Sequence, residues 1–290
     1  MLFRSLIEKS TGRELVDPSS TYVLGQFLHE RFSTNEVDKW FNEYSRIKDG
    51  WGLNDLGKPG MINAKKAPYI SFTPNAWKIK VAHSAVADIA TLTAVETNGF
   101  ARGYTLTFTF PRNAAYVDVE WTVDSKTPDK QAEGGWLCFP FKVEKPTFTV
   151  GRLGGPVNPA TDIIQGTNRY LMAVNTGVSI TQADQSGAAL TSIDAPLISI
   201  GEPGLWKYSM DYVPTKASVF VNLYNNMWNT NFALWQDGSW SERVRIWPVD
   251  KQTQTVTNLV QYGWETRLPL LTGTSEGERS EEHTSELQSQ

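Results

Sequence analysis

Apolar and polar side chains alternate most regularly over residues 103–110, where Tyr104, Leu106, Phe108 and Phe110 are separated by Thr105, Thr107 and Thr109. Successive side chains of a strand point to opposite faces, so this spacing predicts a half-buried strand. Residues 116–123 repeat it, with Val117, Val119, Trp121 and Val123 set against Asp118 and Glu120. Further strands are predicted over residues 86–96, 136–143, 177–182, 188–193, 218–225 and 242–247. Turn formers separate them, among them Asn98-Gly99, Gly134-Gly135, Gly154-Gly155-Pro156 and Asp237-Gly238. One segment has a different period. Ser33 and Glu36 form a capping box ahead of Val37, Trp40, Phe41, Tyr44 and Ile47, which predicts a short amphipathic helix over residues 35–47. The polar run 8–13 between Leu6-Ile7 and Leu15-Val16 reads as a hairpin. Many strands and one short helix near the N-terminus imply an all-β fold, mainly an antiparallel β-sandwich or supersandwich. The length leaves room for two β modules, with a boundary then near residues 205–215.

Composition narrows the partners. Hydrophobic residues make up 40% of the 290 and charged residues 20%, a globular balance able to bury a sizeable core. The net charge of −4, with no cluster of Lys or Arg, argues against a nucleic-acid partner. The longest apolar runs are strand-sized, so no helix is expected to cross a membrane. Cys138, the one cysteine, sits in the apolar run 136–141 and reads as a buried, inert thiol. Both ends look foreign. Residues 279–289 match a translated sequencing-library adapter residue for residue, and residues 1–5 fit its opposite strand. Residues 6–278 are then the protein proper, the tail 279–290 is expected to be disordered, and the natural chain is expected to continue on both sides. Apolar surface on residues 6–14 and on the helix should be exposed if its partners lie upstream.

No catalytic constellation is visible. His29 and His83 stand far apart without carboxylate spacing around them, so no metal or other cofactor is expected within this chain. Nucleophile elbow, P-loop and dinucleotide fingerprint are all missing. Asp118 and Glu120, two apart on one strand face, read as a wetted surface. The unusual stretch is residues 222–240, with five Asn and three Trp. Carboxamides offer both donor and acceptor to sugar hydroxyls, and indole faces stack on the C–H faces of pyranoses. The candidate substrate-binding residues are therefore Asn225, Asn226, Trp228, Asn229, Asn231 and Trp235. The same composition also suits a turn in which Asn caps the backbone and Trp packs inward.

The run Asn225-Asn226-Met227-Trp228-Asn229-Thr230-Asn231 resembles the Asn-Asn-x-Trp-x-Thr-Asn stretch in the C-terminal β region of glycoside hydrolase family 38 α-mannosidases. Three more motifs match in order: Lys9-Ser10-Thr11-Gly12-Arg13-Glu14-Leu15, Phe139-Pro140-Phe141 and Asp194-Ala195-Pro196-Leu197. Residues 35–47 and 51–66 match nothing in the well-studied members. The resemblance implies a non-catalytic β region that gives structural support and one wall of a sugar cleft. Its partners would be a glycan substrate and an N-terminal catalytic domain of the same polypeptide, which would carry the zinc and the aspartate nucleophile. The alternative is a self-standing carbohydrate-binding sandwich.

Overall fold

A computed structural model describes residues 3–46, 68–152, 154–227, 234–252, 256–268 and 273. Among these residues the chain opens on a small hairpin, β1 (Ile7–Glu8) and β2 (Arg13–Glu14), then β3 (Gln26–Arg31) and helix α1 (Thr34–Tyr44). There follow β4 (Ile70–Phe72), β5 (Trp77–His83), β6 (Ala87–Ala94), β7 (Gly103–Pro111) and β8 (Val117–Lys126). Next come β9 (Glu133–Pro140), β10 (Thr147–Arg152), β11 (Gly155–Val157) and β12 (Met172–Ala173). The last strands are β13 (Gly177–Thr181), β14 (Gly187–Ser192), β15 (Leu197–Ile200), β16 (Ser218–Asn225) and β17 (Gly238–Val249), followed by helix α2 (Val256–Arg267).

Two antiparallel sheets form the sandwich. One runs β11-β10-β13-β14-β17-β8-β7-β6-β5 and the other β12-β15-β16-β9-β3-β4. Alternation decides which side chains meet between them. Leu106 and Phe108 of β7 and Val119 and Trp121 of β8 join Phe27, Leu137, Phe139 and Val221 of the smaller sheet in one buried cluster. Thr107, Thr109, Asp118 and Glu120 consequently lie on the outer face of the larger sheet. The Asn98-Gly99 turn has positive φ at both residues (54° and 76°), and the Phe100 amide donates to the Thr97 carbonyl at 3.1 Å, as a type I′ turn requires.

The outer face of the smaller sheet carries its own core. Leu28, Trp136, Cys138 and Phe220 pack with Val37 and Trp40 of α1 and with Leu205 and Trp206. Trp40 stacks on Tyr44 and meets Trp206 edge-on, with ring centres 4.8 and 5.3 Å apart. The capping box forms as predicted, with the Ser33 side chain and backbone both engaging Glu36. The helix is therefore not waiting for a partner: Val37 and Trp40 are buried, Phe41 is half-buried, and Tyr44 alone of these is exposed. Ile47 lies outside the described residues, as do residues 51–66 and the tail 279–290. In the hairpin Ile7 is exposed, whereas Leu15 is buried and Leu6 packs against the main core. Phe3 docks edge-on against Phe108, at 4.6 Å between ring centres.

Two further expectations need correction. Residues 205–215 do not divide the sandwich, because β16 pairs with both β15 and β9, and β17 with both β14 and β8. Gly134 and Gly135 do not form a turn but lie inside β9, both buried. A Cβ at Gly134 would fall 2.0 Å from Leu205, and one at Gly135 would fall 2.3 Å from the Tyr224 ring, so these glycines mark close approach rather than a bend.

Candidate functional site

The Asn/Trp segment leaves the smaller sheet at the end of β16 and rejoins the larger one at the start of β17. β16 is apolar through Val219, Phe220 and Val221, and a bulge follows between Asn222 and Tyr224. Asn222 settles that irregularity by donating to the carbonyls of Gly135 and Tyr224, both at 3.1 Å. The Asn225 carboxamide donates to the Asn222 side chain at 2.7 Å and accepts from the Met227 amide at 3.3 Å. Asn226 is buried. Its carbonyl accepts from the Glu133 amide at 2.7 Å, and its amino group donates to the carbonyls of Gln131 and Leu234 at 2.9 and 3.3 Å. That one side chain clamps both ends of the loop to the sheet.

A second clamp is the buried Lys126–Glu133 pair. The Lys126 ammonium is buried with the Glu133 carboxylate and also donates to the carbonyls of Thr127 and Gln236, at 3.1 and 2.9 Å. Burial outweighs the lysine and pushes the Glu133 carboxyl up to about 7. Lys126 also lies over the Tyr224 ring, 5.1 Å from its centre. The Tyr224 hydroxyl shares a 2.8 Å hydrogen bond with His29 Nδ1, and burial pushes that imidazole down to about 3. The loop base is thus a buried block of polar groups, most of them hydrogen-bonded, with His29 Nε2 and Gln236 Oε1 buried without a partner among the described residues.

The structure separates the candidate residues. Asn226 is spent on the main chain, which removes it from any ligand, and Asn225 is tied to its neighbours within the segment. Trp235 is half-buried at the returning end of the loop. Trp228, Asn229 and Asn231 lie outside the described residues. Sequence reasoning missed Lys126, Glu133 and Gln236. Asp118 bonds to Arg245 on the outer face, at 2.6 and 2.9 Å. His29 is neutral and buried, and His83 pairs with Asp88 at 2.8 Å. Among the described residues, no group of three or more His, Cys, Asp or Glu could hold a metal ion.

No known family profile matches the sequence, and no curated protein matches it. Solved structures do. An α-mannosidase from Enterococcus faecalis V583 superposes with a TM-score of 0.59 at 11% identity, over 94% of this chain and 30% of that one. A glycosyl hydrolase family 38 protein from Enterococcus faecalis superposes with a TM-score of 0.54 at 11% identity, over 95% of this chain and 33% of that one. The likeness is one of fold. The chain spans about a third of the length of each of these proteins.

Proposed function

We propose that this chain is the non-catalytic C-terminal β region of a glycoside hydrolase resembling the α-mannosidases. It supports the enzyme structurally, and its β16–β17 loop forms one wall of the sugar cleft. The observation that carries this is the extent of the superposition: nearly the whole chain overlays less than a third of an α-mannosidase. The loop base adds to it, because two buried polar clamps fix where the loop leaves and rejoins the sheets, as a binding loop needs. On this reading the zinc and the nucleophile belong to an N-terminal catalytic domain of the same polypeptide, and the substrate is a glycan.

The test is substitution within the longer polypeptide. Trp228→Ala or Asn231→Ala should lower kcat/KM about 10- to 100-fold, the equivalent of roughly 1–3 kcal/mol for a lost buried contact, with the melting temperature unchanged. Asn226→Ala should do the reverse. It leaves the Glu133 amide and two carbonyls without partners, so stability falls by about 1–3 kcal/mol while activity per folded molecule holds. Undiminished kcat/KM in both loop variants would overturn the proposal.

A further inference from the structure

The larger sheet carries a second, unrelated feature on its outer face. Register places Thr107, Glu120 and Arg243 in one row across β7, β8 and β17, and Thr109, Asp118 and Arg245 in the next. Helix α2 rises beside these rows and is held close to the body of the sandwich. A Cβ at Gly263 would fall 2.4 Å from the Thr176 carbonyl, and Leu259 is buried against Trp247 and Val249. Between helix and sheet lies a cleft of about 900 Å³, and Trp264 stands at its edge with 49% of its surface exposed.

This cleft does not end at the sheet. Tyr116 borders it and also borders two neighbouring cavities, of about 350 Å³ against α2 and about 550 Å³ under the N-terminal hairpin. All three cavities adjoin the Tyr116 ring, on which the Arg245 guanidinium lies at 3.7 Å.

The charges in the floor are largely spent on each other. Arg245 is bonded twice to Asp118, and Arg243 twice to Asp194, at 2.9 Å each for the latter pair. Glu120 has no hydrogen-bond partner among the described residues, and Glu265 adds a second carboxylate to the cleft lining, while Lys9 and Arg112 lie in the cavity under the hairpin. The cleft beside α2 therefore presents no unpaired cation to a phosphate or sulfate among the described residues. It offers carboxylate acceptors, threonine hydroxyls and an exposed indole face, which together suit a polyhydroxylated ligand with apolar C–H faces.

We propose that this groove is a binding site for a neutral oligosaccharide, separate from the β16–β17 loop. Arg245 is seven residues along β17 from Gly238, where the loop ends, a distance of about 23 Å at roughly 3.3 Å per residue. The groove therefore engages a glycan remote from the loop, whatever the loop does.

The test uses the full chain against an array of neutral and anionic oligosaccharides, followed by calorimetric titration with the neutral glycan that binds most strongly. Neutral oligosaccharides should bind, more tightly with increasing length. Trp264→Ala and Glu120→Gln should each weaken binding tenfold or more with the melting temperature unchanged, while Ile164→Ala, at an exposed position outside the three cavities, leaves affinity intact. Binding of anionic glycans alone, no glycan binding at all, or affinity that survives both groove substitutions would overturn the proposal. Affinity lost in Trp235→Ala and kept in both groove substitutions would place the glycan at the loop and equally refute it.

Discussion

His29 shows how one buried side chain ties the loop base to the pH of the solution. Its ring lies 4.1 Å from the Phe100 ring centre and its Nδ1 is bonded to Tyr224, so the fold holds it neutral. Burial lowers its pKa from 6.5 to about 3, with the charges of Lys126 and Arg31 adding to the effect. The unfolded chain protonates this group below 6.5 and the folded chain does not. Its stabilising contribution is therefore complete above pH 6.5 and is lost as pH falls toward 3, at up to about 1.4 kcal/mol per pH unit. Glu133 acts in the opposite sense. Its pKa is raised from 4.5 to about 7, so its contribution is complete below pH 4.5 and is lost as pH rises toward 7. His29→Gln should accordingly destabilise the protein more at pH 7 than at pH 4, which urea unfolding at a series of pH values will measure. A gap between variant and parent that stays constant with pH would mean that His29 does not carry this linkage.

At the scale of elements, α1 depends on its cap and on two buried side chains. Ser33→Ala removes the side-chain acceptor that satisfies the first turn and should cost about 1 kcal/mol, readable as a lowered unfolding midpoint with an unchanged denaturant slope. This helix, β7 and β8 were legible because their periods are clean and one face of each is wet. β3 was not, because Phe27, Leu28, His29 and Glu30 are all buried, and a strand covered on both faces has no alternation to read. α2 was hidden by Gly263 and by β-branched Val256, Thr257 and Val260, which suit a helix poorly; its close seat against Thr176 compensates. The loop itself was marked by its Asn and Trp content, but the Lys126–Glu133 clamp was not. Ser125 has φ 50°, and the register slips between Val123 and Lys126, so a lysine that strict alternation would leave on the surface turns inward.

At the scale of the whole molecule, the last strands join the two halves of the chain: β16 lies between β15 and β9, and β17 between β14 and β8. Both ends of β17 then acquire a feature of their own, the clamped loop at Gly238 and the groove around Arg245. The fold is shared with about a third of an α-mannosidase, and on the proposed reading this third supports the chemistry without performing it. Turnover of an aryl α-mannoside with and without added zinc, measured on the purified chain and on the longer polypeptide, tests that claim most directly. The longer polypeptide should hydrolyse the substrate in a zinc-dependent manner and the chain alone should not; zinc-stimulated turnover by the chain alone would contradict it.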